Sequence, residues 1–328
     1  MHQFNAARWL PGGHAQTIWP ALFAHRRPAG HAAPRWRWER WDTPDGDFID
    51  VAFGSAPTLP ADAPWLVLFH GLEGSANSHY AQAMACVAEQ RGWHMAVPHF
   101  RGCSGEVNRA PRAYHSGDVQ EVDWILRRLR ERSSRPLHAV GVSLGGNALA
   151  RWAGVQADKA AELVQALAAV SAPLDLAAGG TALGKGLNRW IYTRMFLRTL
   201  VPKALLKWAQ FPGLFDRDAV LRARDLREFD DAFTAPVHGF RDAQDYWHRA
   251  AAKPLLGSVA VPALLLNALD DPFVPSYSLP APGEVGPRVT LWHPPHGGHV
   301  GFAQGRWPGH VLAMPQAVTQ WLAHSEKG

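Results

Sequence analysis

The chain has 328 residues, 47% of them hydrophobic and 19% charged: enough apolar residues for a large core, and a composition that excludes general disorder. The formal net charge of +5 is concentrated in residues 1–41, where Arg8, Arg26, Arg27, Arg35, Arg37 and Arg40 face Glu39 alone; the remainder balances, which excludes a nucleic-acid-binding body. Cys86 and Cys103 are the only cysteines, so a disulfide scaffold and CxxC metal or redox motifs are excluded too.

Residues 1–34 read as irregular, with Pro and Gly throughout. Residues 1–30 hold no continuous apolar run of the signal-peptide type, and no stretch of the chain approaches 18 uninterrupted apolar residues. A cytoplasmic location is the expectation. Two strand-like runs follow, Trp36–Trp41 and Phe48–Phe53, joined by the turn signal Pro44-Asp45-Gly46. Trp65–Phe69 is a continuous apolar run of the length of a strand buried on both faces.

Helix and strand patterns then alternate: helix His79–Arg91, strand Trp93–Val97, helix 118–132, strand Leu137–Val142, helix Gly145–Ala157, strand Gln165–Val170. Helix 118–132 opens with Asp118 and Glu121 in the arrangement of a capping box, and carries Val119, Val122, Ile125, Leu126 and Leu129 as an apolar stripe. Such alternation predicts an α/β fold with a mostly parallel sheet flanked by helices.

Residues 174–255 offer only helical patterns (Leu187–Leu206, Asp218–Phe229, Asp242–Ala252) and read as a helical cap inserted into a single domain spanning 1–328. Strands return at Val261–Leu266 and Arg288–Trp292, and a helix starting near Pro315 closes the chain.

Gly141-Val142-Ser143-Leu144-Gly145 is the strongest chemical signal. Chance would supply roughly 0.1 G-x-S-x-G matches in a chain of this composition. It lies where a strand ends and a helix begins, as a nucleophile elbow requires. The serine of Gly102-Cys103-Ser104-Gly105 lacks that frame and reads as a loop at the rim of a site.

A serine hydroxyl needs a neighbouring base, and an imidazole needs a carboxylate to hold its tautomer. Acid and histidine are expected after late strands, in that order. Strand 261–266 leads into Asp270-Asp271-Pro272-Phe273-Val274-Pro275, and strand 288–292 into His293-Pro294-Pro295-His296-Gly297-Gly298-His299. Asp271 suits the Asp-Pro turn better than Asp270. His299 follows a Gly pair that would let its loop come close to the nucleophile, while His293 and His296 read as polar loop residues. Backbone N–H groups of Leu144 and of Leu72, in His70-Gly71-Leu72-Glu73-Gly74, are the expected oxyanion donors.

With His14-Ala15-Gln16-Thr17, His70–Ser75, Arg101–Gly105, Gly141–Asn147, Asn267–Phe273 and His296–Phe302 in view, the chain resembles the α/β-hydrolase superfamily and, more narrowly, YheT-like hydrolases and esterases. The resemblance implies a Ser143–Asp271–His299 triad acting on carboxylic esters without a cofactor; some eukaryotic relatives handle phospholipids or form ethyl esters from acyl-CoA.

The expected function is a serine hydrolase cleaving short- to medium-chain acyl esters, with a small-molecule substrate, no metal and no obligate protein partner. An acyltransferase using the same triad is the alternative, although no histidine is followed five positions later by Asp. A metal hydrolase using His293, His296 and His299, or a non-catalytic binding module, is more remote. Arg194–Phe211 mixes Arg194, Arg198, Lys203 and Lys207 with apolar residues and is interrupted by Pro202. It reads as a cap helix with a solvated basic face, or else as a lid contacting acyl chains or anionic lipid.

Overall fold

Strand β3 (Trp65–Phe69) sets the layering: Trp65, Val67 and Phe69 enter one core and Leu66 and Leu68 the other, all five buried, in a computed structural model that describes residues 4–54 and 59–325. The ends of the expected 1–328 domain, and residues 55–58 within it, lie outside the described residues. A strand apolar on both faces must be covered on both, and the rest of the chain supplies the covers.

The eight strands are β1 (Arg37–Asp42), β2 (Phe48–Gly54), β3, β4 (His94–Pro98), β5 (Leu137–Val142), β6 (Val164–Val170), β7 (Ala263–Leu266) and β8 (Val289–Trp292). They form one sheet in the order β1-β2-β4-β3-β5-β6-β7-β8. β2 runs antiparallel to β1 and β4, and all other pairs are parallel. Parallel pairing aligns the C-terminal ends of β3, β5, β7 and β8 along one edge, where an open α/β sheet binds its ligands.

Helices α1 (Gly13–Leu22), α2 (His79–Gln90), α3 (Val119–Arg130) and α4 (Leu144–Gln156) precede the helical segment between β6 and β7. α3 and α4 cover one face through Val122, Ile125, Leu126, Leu149 and Trp152. α2 and the last helix, Ala313–His324, cover the other through Met84, Met314, Val318 and Leu322. Asp118 caps α3, accepting from the Glu121 N–H at 3.1 Å, but the Glu121 carboxylate faces the Arg101 guanidinium, so the box closes on one side only. On β1, Arg40 pairs with Asp50 and lies 3.7 Å from the centre of the Phe48 ring, so the basic N-terminal segment is partly neutralised and stacked. No helix among the described residues is long and apolar enough to cross a membrane.

Two expectations need correction. Residues 13–22 are helical, not irregular: α1 has Gly12 at its N-cap with no capping side chain, and Pro20 inside it, so no local signal announces it. It is held by packing. A Cβ on Gly13 would lie 1.7 Å from the Asp270 carbonyl oxygen. Second, Pro202 does not interrupt its helix, which runs Arg194–Gln210 without a break. The carbonyl of Arg198 loses its intrahelical donor, but residues 198 and 202 are both exposed, where water supplies one.

Candidate active site

The site is built from the elbow outward. Ser143 sits between β5 and α4 at φ 53°, ψ −119°, a conformation rarely held by a residue with a side chain. Close packing enforces it. A Cβ at Gly141 would lie 2.3 Å from the Gly145 oxygen, and one at Gly145 would lie 2.4 Å from the Phe69 oxygen. The Ser143 N–H donates to the Val170 carbonyl at 2.8 Å, tying the elbow to the end of β6.

His299 Nε2 lies 2.9 Å from Ser143 Oγ, and its Nδ1 lies 2.9 Å from Asp271 Oδ2. The carboxylate can only accept, so Nδ1 carries the proton and Nε2 is free to accept from the serine hydroxyl. Asp271 Oδ1 also accepts from the N–H groups of Phe273 (2.8 Å) and Val274 (3.3 Å), which holds the carboxylate in a tight turn. The Asp271 side chain is fully buried, and the Phe273 ring stacks on the imidazole at 4.0 Å. The carboxylate and one face of the imidazole are thereby shielded from water.

Asp270 turns the other way. It accepts from the Gly298 N–H at 2.9 Å and lies 3.2 Å from His296 Nδ1 on the surface. Among the described residues no three His, Cys, Asp or Glu side chains converge where a metal ion could be held. The Gly297-Gly298 pair does permit a close approach, but to α1: a Cβ on Gly298 would lie 2.7 Å from the backbone of Gln16.

That approach brings in Thr17. Its Oγ1 donates to the Gly13 carbonyl at 2.7 Å and accepts from the His299 N–H at 2.9 Å. After His299 the chain is strained, with Val300 at φ 59°. The Val300 N–H donates to Ser171 Oγ at 3.1 Å, and its carbonyl lies 3.1 Å from His79 Nε2. Burial pushes His79 down to about 4, so it donates as a neutral ring.

Leu144 is the first residue of α4, where N–H groups have no intrahelical acceptor and the helix dipole is positive. Leu72 lines the same cavity as Ser143, Leu144 and His299. Its loop is fixed at both ends. The Gly71 N–H donates to the Tyr80 hydroxyl at 2.9 Å. Glu73, at φ 56°, donates its N–H to the Tyr114 hydroxyl at 3.0 Å, and its Oε1 accepts a hydrogen bond from the same hydroxyl at 2.8 Å. Lys203 donates to the same carboxylate at 2.8 Å. Behind the loop, fully buried His70 accepts from the Phe100 N–H on Nε2 and faces the Gly71 carbonyl with Nδ1; burial holds it neutral by pushing it down to about 3.

The cavity beside Ser143 has a volume of about 150 Å³ and is walled largely by Leu183, Phe196, Leu200, Phe229 and Phe233. Polar side chains line it as well, among them Glu73, Arg101, Asn108, Lys207 and Asp230, and these are engaged in hydrogen bonds or ion pairs. Burial pushes Asp230 up to about 7 while it accepts from Thr234 Oγ1 and Trp247 Nε1. Lys207, pushed down to about 8 by burial, donates to the carbonyls of Asn108 and Ala110 and to Gln210 Oε1. Cys103 also faces Glu73 and Lys203, and burial pushes its thiol up to about 12, leaving it protonated and unreactive. Ser104 donates to Asp50 at 2.7 Å and takes no part in the cavity.

Sequence reasoning missed Thr17 and the Glu73–Tyr114–Lys203 cluster. The first carried a weak signal, since His14–Thr17 is one of the stretches on which the family resemblance rests. The second carried none, because its members come from three distant segments. The basic residues of 194–211 do not share one solvated face, since Lys203 and Lys207 turn inward.

Residues 64–305 match the family of the alpha/beta hydrolase fold. The chain is 41% identical to the YheT protein of Escherichia coli (strain K12), over 98% of this chain and 93% of that one. It is 30% identical to human phospholipase ABHD3, over 96% of this chain and 77% of the relative. Among solved structures, Est1E from Butyrivibrio proteoclasticus superposes with a TM-score of 0.56 at 13% identity, covering 90% of this chain and all of that one. The Pyrococcus furiosus esterase PF2001 does so with a TM-score of 0.52 at 14% identity, covering 93% and 96%.

Proposed function

Because this chain belongs to the α/β hydrolase fold family and is an esterase-type hydrolase, we propose that it cleaves carboxylic esters through a covalent acyl-serine formed on Ser143. The observation that carries this reading is the single imidazole shared at 2.9 Å by the Ser143 hydroxyl on one nitrogen and by the Asp271 carboxylate on the other. As Ser143 Oγ bonds to the ester carbonyl carbon, its proton passes to His299 Nε2. Asp271 stabilises the resulting imidazolium. The oxyanion is held by the N–H groups of Leu72 and Leu144, and its collapse expels the alkoxide, which takes the proton from His299 and leaves as the alcohol. Water, deprotonated by His299, then releases the acid. No metal or cofactor is needed for any step.

The substrate reading follows from the cavity. A volume of about 150 Å³ with apolar walls accommodates a benzene-sized group of about six carbons, which favours short- to medium-chain acyl groups. The helices between β6 and β7 act as its cap, spanning 174–255. The test is turnover of a panel of acyl esters of increasing length by the native chain and by Ser143→Ala. Loss of about 10⁴-fold or more in kcat, together with loss of fluorophosphonate labelling, is expected. Near-normal hydrolysis by the variant would overturn the reading.

A further inference from the structure

We infer that the outward face of the helix over 186–210 is a docking surface for an anionic lipid layer, an inference that stands apart from the ester chemistry. Residues 176–215 contain no Asp or Glu but hold Lys185, Arg189, Arg194, Arg198, Lys203 and Lys207. The last two point inward, to Glu73 and to backbone carbonyls. The other four have no carboxylate partner among the described residues. Arg194 instead lies over the Trp190 ring at 5.5 Å.

Between these cations the same face exposes large apolar side chains. Leu187, Trp190, Met195 and Leu206 are 63%, 67%, 50% and 55% exposed. They are 3, 5 and 11 residues apart, and because the five-residue step spans the wider turn at 189–193 all four fall on the same half of the helix. The side of a helix that faces water is normally polar, so Trp and Leu standing there among unpaired arginines have the composition of an interfacial helix. A π-turn at Arg189–Thr193 sets the register that turns Trp190 and Ile191 outward while Tyr192 and Thr193 are buried.

Charge decides the occupant. A second copy of the chain seated on this face would set the same unpaired cations against themselves, which is repulsive. An acidic bilayer surface supplies the missing counter-charge and a place for the indole at headgroup depth. The opposite face of the same helix, with Phe196, Leu200 and Ala204, walls the cavity that holds Ser143. Docking would therefore set the cavity wall directly on the lipid layer.

The experiment is co-sedimentation of the full chain with vesicles of mixed phosphatidylglycerol and phosphatidylcholine, and with phosphatidylcholine alone. Partitioning onto the acidic vesicles should exceed that onto the neutral ones by about tenfold or more, and should weaken in raised salt. The double variants Trp190→Ser/Met195→Ser and Arg194→Gln/Arg198→Gln should each lose about tenfold or more of that binding while hydrolysing a water-soluble short-chain ester at the native rate. Ser143→Ala should bind vesicles as the native chain does, which separates this inference from the ester reading. No binding by the folded native chain, binding indifferent to both double variants, or a dimer in sedimentation that Trp190→Ser abolishes would each overturn it.

Discussion

The hydroxyl of Thr17 lies 2.9 Å from the backbone nitrogen of His299, a residue 282 positions further along the chain. Thr17 thus anchors the backbone of the residue whose ring bridges Ser143 and Asp271, and it does so from a helix that locks onto the His299 loop through Gly13, Gly298 and Gly301. α1 is a support for the imidazole, though it contributes no group to the proposed chemistry.

Removing that support should misplace the base without removing it. Thr17→Val keeps the volume but leaves the His299 N–H buried and unpaired, at a cost of about 1–3 kcal/mol. We expect kcat to fall about 10- to 100-fold with little change in KM, because misplacement of about 1 Å near the reacting atoms has an effect of that order. Thr17→Ser, which retains the hydroxyl, should recover most of the rate. Steady-state kinetics of the two variants check this, and an unchanged kcat in Thr17→Val would remove Thr17 from the machinery.

The adjacent acids should separate cleanly. Asp271→Asn leaves no carboxylate on His299 Nδ1 and should lower kcat about 10⁴-fold. Asp270→Asn, which touches only Gly298 and exposed His296, should lower it by less than about tenfold. Equal losses in both, measured on one ester substrate, would contradict this assignment.

Tyr114 is a positioning residue for the loop that carries Leu72. Its hydroxyl both accepts from the Glu73 N–H and donates to the Glu73 carboxylate, so Tyr114→Phe frees a strained residue next to the Leu72 peptide. If the Leu72 N–H holds the oxyanion, kcat should drop about 10- to 100-fold at nearly constant KM. A KM rise at constant kcat would instead assign Tyr114 to ground-state binding.

Acid should weaken the fold through His70. Its pKa falls from 6.5 to about 3 on folding because burial disfavours the charged ring. The unfolded chain therefore binds the extra proton, and the stability held above pH 6.5 is lost as the pH falls towards about 3, by about 1.4 kcal/mol per pH unit. His70→Gln removes this titration. Urea unfolding between pH 4.5 and 6 should show the slope of stability against pH reduced by about that amount in the variant. Parallel slopes would show that His70 does not carry the effect.

Much was legible in the sequence because much is local. The continuous apolar runs of β3 and β5, the glycines around Ser143 and the Asp-Pro turn at 271 each bias the backbone within a few residues, whatever surrounds them. They were enough to derive an α/β sheet and the order of serine, acid and histidine along it. Pairings between distant segments leave no such local mark. The helical state of residues 13–22, the Thr17–His299 contact and the grip of Tyr114 on Glu73 exist only once separate segments pack together. Charge followed the same division. Composition located the net +5 in the first 41 residues, but only the tertiary structure turned Lys203 and Lys207 inward and left Arg194 and Arg198 outside beside Trp190 and Met195. Which way a helix faces is set by the surfaces it packs against, and its own residues supply only the choices.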